Sequence, residues 1–278
     1  MRLFLRVGAL LAAGALGVGC SEQSSSAEAV TPPPGKTDKQ SYSAAASALI
    51  AILGQPGARS SLPNSEDPAV AAYLNEVRAM TVLLGTNSMP ATSMEEYEAL
   101  CGTASTVMTT YVTAGVNERI SKNMSEAEFL AALQKRQQEN IPKYWGVIFP
   151  LTLYSQHCTA VFAPLAEAYI SNIRAGDPAE KIRIDGARNF GANTHDLVRG
   201  MLLTLVDPGL TQKGRDIMMS QFEKDWDGLI LVMSPEQRVA TTQQLSQAVP
   251  LLSTELGTRI KVLAARTSAA KCGTICSL

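Results

Sequence analysis

Tyr144–Ala166, YWGVIFPLTLYSQHCTAVFAPLA, runs for 23 residues without a formal charge, and six of the chain's 15 aromatic residues fall between Tyr144 and Tyr169. A segment that excludes charge for this long belongs where a charge is costly, in a packed interior or in a bilayer. Its middle decides between the two. Thr152, Ser155, Gln156, His157 and Thr159 sit where a bilayer penalises polar groups most, and Pro150 and Pro164 interrupt the run. The stretch reads as a buried helix, kinked or broken at one or both prolines. The rest of the chain supplies helices to cover it.

Composition agrees. The chain has 278 residues, 46% hydrophobic and 18% charged, enough for a sizeable core. Ala and Leu outnumber Val and Ile in the long runs, a balance that favours helix over strand. The expected fold is all-α, an irregular multi-helix bundle or α-array of about eight helices around a kinked central helix.

Helix boundaries are marked by a recurring pattern. Asp67-Pro68, Asp177-Pro178, Asp207-Pro208 and Ser234-Pro235 place a capping side chain before a proline, whose missing N–H has no partner to lose in the first turn. Ser93 with Glu96 and Ser125 with Glu128 have capping-box spacing. Gly54, Gly85 and Gly176 supply stops. The predicted helices are 42–53, 68–84, 94–121, 126–139, 142–175, 178–206, 212–233 and 235–270.

The amino terminus has a different character. Arg2 and Arg6 precede an apolar run from Val7 to Val18, and Gly17-Val18-Gly19 are small residues before Cys20. Over residues 1–21 this resembles the export signal of bacterial lipoproteins. The resemblance implies cleavage before Cys20, lipidation of that cysteine and, because Ser21 follows it, outer-membrane residence facing the periplasm. The competing reading is cleavage near Gly19, which releases a soluble periplasmic protein. The expected organisation is a signal peptide over 1–19, a lipidated cysteine and Ser/Pro-rich tether over 20–40, and a single all-α domain over 41–278. The tether, with Pro32-Pro33-Pro34, is too polar to fold.

Besides Cys20 the chain carries Cys101, Cys158, Cys272 and Cys276. An even number in an oxidising compartment suggests two disulfides, and the expected pairs are Cys101 with Cys158 and Cys272 with Cys276. His157-Cys158 and the CxxxC spacing are loose for zinc, so no metal is expected.

Function is less legible. Net charge is −1, with no basic stripe, which argues against nucleic acid. The motifs GxSxG, GxxxxGK[ST], GxGxxG and HExxH are absent, and no cofactor or catalytic residue is assigned. Of the two histidines, His157 reads as a core residue with satisfied hydrogen bonds. His195 falls on a stripe with Asp185, Arg188, Asp196 and Arg199 at i,i+3 spacing, read first as a solvated face, then as a partner surface or active site. The opposite stripe, Ile182, Gly186, Phe190, Asn193, Leu197 and Met201, reads as core, with Gly186 allowing close helix approach. The favoured expectation is a lipid-anchored periplasmic protein that binds another protein, as an inhibitor, an immunity protein or an envelope accessory factor. The alternatives are a small-ligand or cell-wall-fragment binder using Tyr144, Trp145 and Phe149, and a periplasmic hydrolase with His195 as base.

Overall fold

The Ala/Leu-rich runs do form helices. A computed structural model describes residues 38–55, 62–115, 125–173 and 180–278. Cys20, the leader, the tether to residue 37, and Gly176, Asp177 and Pro178 lie outside these residues. Among the described residues there are nine helices and no strand, only isolated bridges from Met89 to Leu84 and Thr86. We number them α1 (Lys39–Leu53), α2 (Pro68–Leu83), α3, α4 (Glu126–Lys143), α5 (Trp145–Ser171), α6 (Glu180–Val206), α7 (Gln212–Leu231), α8 (Pro235–Ala248) and α9 (Thr254–Ala269). The third, α3, joins Met94–Tyr97, a π turn Glu98–Gly102 and Thr103–Val112.

The described residues divide into two compact units, one holding residues up to 91 with 95–155, the other 92–94 with 156–278. In the first, Tyr42, Ala46, Leu49 and Leu53 of α1 are buried, as are Val70, Tyr73, Leu74, Val77 and Met80 of α2. The Tyr42 hydroxyl donates to the Leu100 carbonyl at 2.6 Å and lies 3.2 Å from the Tyr73 hydroxyl. The widened π turn, with its irregular hydrogen bonding, presents that carbonyl to a side chain. Burial pushes the phenols of Tyr42, Tyr73 and Tyr154 well above their ordinary range. The Asn140 amide donates to Val112 O and Ala114 O, closing the end of α3.

In the second unit the indole of Trp226 is fully buried and donates to Leu263 O and Thr267 Oγ1. Arg238 donates to the carbonyls of Ile230, Leu231, Met233, Ala270 and Lys271, fastening the end of α7 to the segment after α9. Capping boxes are present at Ser125/Glu128 and at Ser234, where Gln237 is the partner.

Several boundaries differ from expectation for local reasons. α5 runs unbroken through Pro150 and Pro164, and the chain breaks instead at Tyr144, after Pro142 in the last turn of α4. The predicted 94–121 helix stops at Val112, with Gly115 at φ +80°. The predicted 235–270 helix is two helices, because Pro250 falls in the short 3-10 turn Val249–Leu251 and Ser253 caps α9. Asp207-Pro208 makes a turn, Asp207 Oδ1 accepting from Gly209 N, and Thr211 caps α7.

Pro164 stands inside α5 next to a close approach of α7. A proline cannot donate to the carbonyl four residues back, here that of Ala160. Gly228 of α7 lies directly over Ala160: a Cβ at 228 would stand 2.8 Å from the Ala160 Cα and carbonyl carbon, and closer still to its oxygen. The glycine lets α7 approach the carbonyl to which the proline has no N–H to donate.

Candidate functional site

The polar residues in the middle of α5 are inside, not on a surface. Gln156 is 0% exposed and His157 2%. Both point at Asp225 of α7, itself 3% exposed. The His157 Nδ1–H donates to Asp225 Oδ1 at 2.7 Å. Gln156 Nε2 donates to Asp225 Oδ2 at 3.0 Å, and Gln221 Nε2 to the same oxygen at 2.6 Å. One carboxylate thus collects three donors from two helices, which satisfies a group that would be costly to bury alone. Gln156 Oε1 is buried with no hydrogen-bond partner among the described residues.

A carboxylate on imidazole Nδ1 is the arrangement that orients a catalytic histidine, but here both members are sealed from solvent. The pair acts as an internal tie between α5 and α7, beside the Gly228/Ala160 contact. The expectation that His157 is a core residue with satisfied hydrogen bonds agrees with this geometry. Asp225 is the residue that sequence reading passes over. The run Glu223, Lys224, Asp225, Asp227 looks like a solvated face, yet Met218, Phe222, Asp225 and Leu229 share one helical phase and are all buried.

Gln221 connects this interior to the surface. It lines a shallow open recess of about 480 Å³ along α7, with Lys213, Asp216, Ile217, Ser220 and Lys224. Ile217 is 41% exposed, an apolar side chain between charged neighbours. Lys213 and Lys224 stand about 16 Å apart along the helix axis at ~1.5 Å per residue.

The residues singled out from sequence are dispersed. Asp185 and Arg188 are exposed at 3.7 Å, and Arg188 donates through Nε and Nη2 to Leu278 O. His195 Nδ1 is 3.8 Å from Asp196 Oδ1, and its Nε2 is buried with no partner among the described residues. Burial lowers the His195 pKa, Asp196 opposing and Arg199 reinforcing the shift. Arg199 is exposed. The opposite stripe of α6 holds only in part: Met201 is buried and Phe190 packs against the core, but Ile182 is 72% exposed and nothing lies within 4 Å of a Cβ placed on Gly186. The buried phase is Ala187, Gly191, Thr194, Val198, Met201, Leu202 and Leu205. Gly191 is the close approach, where a Cβ would stand 2.5 Å from Val232 O.

Tyr144 is buried, its ring edge-on to Tyr111 at 5.2 Å and its hydroxyl accepting from Leu62 N. Trp145 and Phe149 stack on each other at 5.1 Å. Cys272 and Cys276 are bonded, as expected, with Cα atoms 5.4 Å apart. Cys101 and Cys158 are both disulfide-bonded and buried. Among the described residues no cluster of three or more His, Cys, Asp or Glu forms a metal cage, and no helix is long and apolar enough to cross a membrane. No protein-family model, curated protein or solved structure matches this chain.

Proposed function

We propose that this is a lipid-anchored periplasmic protein whose all-α body binds another protein, and that the partner docks on the exposed face of α7. The leader and Cys20 support the anchor. The α7 recess supports the docking: an exposed isoleucine flanked by Lys213, Asp216 and Lys224 matches the apolar centre and charged rim of a protein contact. Gln221, held from below by Asp225, gives that face a fixed floor, which limits the entropy lost on binding. The matching partner presents an apolar side chain to Ile217 within a polar rim of its own.

The test is affinity capture from detergent-solubilised envelopes with the wild-type chain and with Ile217→Asp, each checked for an unchanged unfolding transition. A defined partner retained by wild type and lost with Ile217→Asp is the expected result. Equal recovery by both chains refutes docking at α7. A wild-type chain that retains nothing above background refutes the protein-binding reading itself.

A further inference from the structure

We propose that Cys272–Leu278 is a redox-operated strap, which reduction of the Cys272–Cys276 disulfide by a dithiol donor releases from α5 and α6. This is a control element separate from docking at α7.

The strap is held at three points. The Glu167 carboxylate on α5 accepts from Thr274 N with one oxygen and from Ile275 N with the other, the latter at 3.0 Å. Ile275 is 4% exposed and fills an apolar patch formed by Ala163, Ala166 and Ile170 of α5, Ala187 of α6, and Val232. Arg188 of α6 donates twice to Leu278 O, at 3.2 and 3.1 Å.

All three depend on the local shape of the strap. Ile275–Ser277 is a single 3-10 turn, and an isolated turn of this length does not persist in water. The disulfide closes around it, and Ser277 Oγ adds a bond to Gly273 O at 2.7 Å. Gly273 is pressed onto Glu167, where a Cβ would stand 2.5 Å from Oε1. The closed loop therefore aims two consecutive N–H groups at one carboxylate while Ile275 points into the patch. Opening the loop removes the constraint that keeps these contacts simultaneous.

The two sulfurs are also unequal. Cys272 is exposed and Cys276 is 2% exposed. A dithiol donor attacks through its thiolate at Cys272 Sγ, breaking the S–S bond, and Cys276 leaves as a thiolate that takes up a proton. The donor's second thiol then displaces Cys272 from the mixed disulfide, so the donor ends as a disulfide and the strap as two thiols. Cys101 and Cys158, at 5% and 1% exposure, are shielded from the same attack while the helices stay folded.

The experiment treats the full-length native chain with dithiothreitol, then reads iodoacetamide alkylation by peptide mass and amide hydrogen exchange. The expected result is alkylation of Cys272 and Cys276 but not Cys101 or Cys158. Exchange at Thr274 and Ile275 accelerates at least tenfold, while α5 to α9 keep their rates. A Cys272→Ser, Cys276→Ser chain should show the same fast exchange without reductant. Three results overturn the proposal: a disulfide that stays oxidised until the helices unfold, strap amides that keep their oxidised rate after reduction, or helices that speed up together with the strap.

Discussion

Replacing Asp225 with alanine removes the acceptor of three donors at once. Two of them, His157 Nδ1 and Gln156 Nε2, are buried, while Gln221 lies at the edge of the surface recess. A buried donor left without a partner costs about 1–3 kcal/mol, and Gln221, which can turn to water, about 0.5 kcal/mol. The total is about 2.5–6.5 kcal/mol. It is a large part of the roughly 5–15 kcal/mol that holds a domain together. Urea unfolding followed by tryptophan fluorescence reads it directly, since Trp226 is fully buried one residue from the substitution. A midpoint shift of about 1–2 M is expected. The double variant His157→Leu, Asp225→Leu, which removes donor and acceptor together, should recover part of the loss. A loss below about 1 kcal/mol for Asp225→Ala, or a double variant less stable than the single one, refutes the internal tie.

Gly228→Ala should destabilise by about 1–3 kcal/mol through overpacking against Ala160, although alanine gains about 1 kcal/mol in helix propensity. Thermal unfolding checks the sign, and a stabilised variant contradicts the close approach. The His195 pKa lies below its ordinary 6.5 because burial disfavours the charged ring. The unfolded chain therefore binds the proton more readily, so this contribution is complete above pH 6.5 and is lost as pH falls toward the folded-state pKa. His195→Gln should flatten the stability profile in that window, measured by urea midpoints at successive pH values. For the anchor, wild type should incorporate labelled palmitate in cells and Cys20→Ala should not.

Much of the architecture was legible because helix ends are written in local chemistry. Ser125 with Glu128, Ser234 before Pro235, and Gly54 each need only their neighbours to act. The prolines misled where tertiary contact overrides local preference. Pro164 predicts a break in isolation, yet α5 continues through it, with Gly228 of α7 packed against the Ala160 carbonyl that the proline cannot bond. On α6 the phase was lost because Thr194 is buried and bonds its own helix at Phe190 O, so a polar residue occupies the core stripe. Asp225 was hidden by its charged neighbours and becomes visible only when the helical phase of Phe222 and Leu229 is followed through it. The α7 recess depends on which face the body leaves open, which no local pattern encodes.

The most direct measurement of the central claim is photo-crosslinking in living cells, with a photoreactive residue at Ile217 of α7 and, as control, at the exposed Val239 of α8. A docking surface on α7 predicts one discrete adduct from position 217, absent at 239 and lost when Lys213 and Lys224 are changed to Glu. No adduct at 217, or the same adducts from both positions, contradicts it.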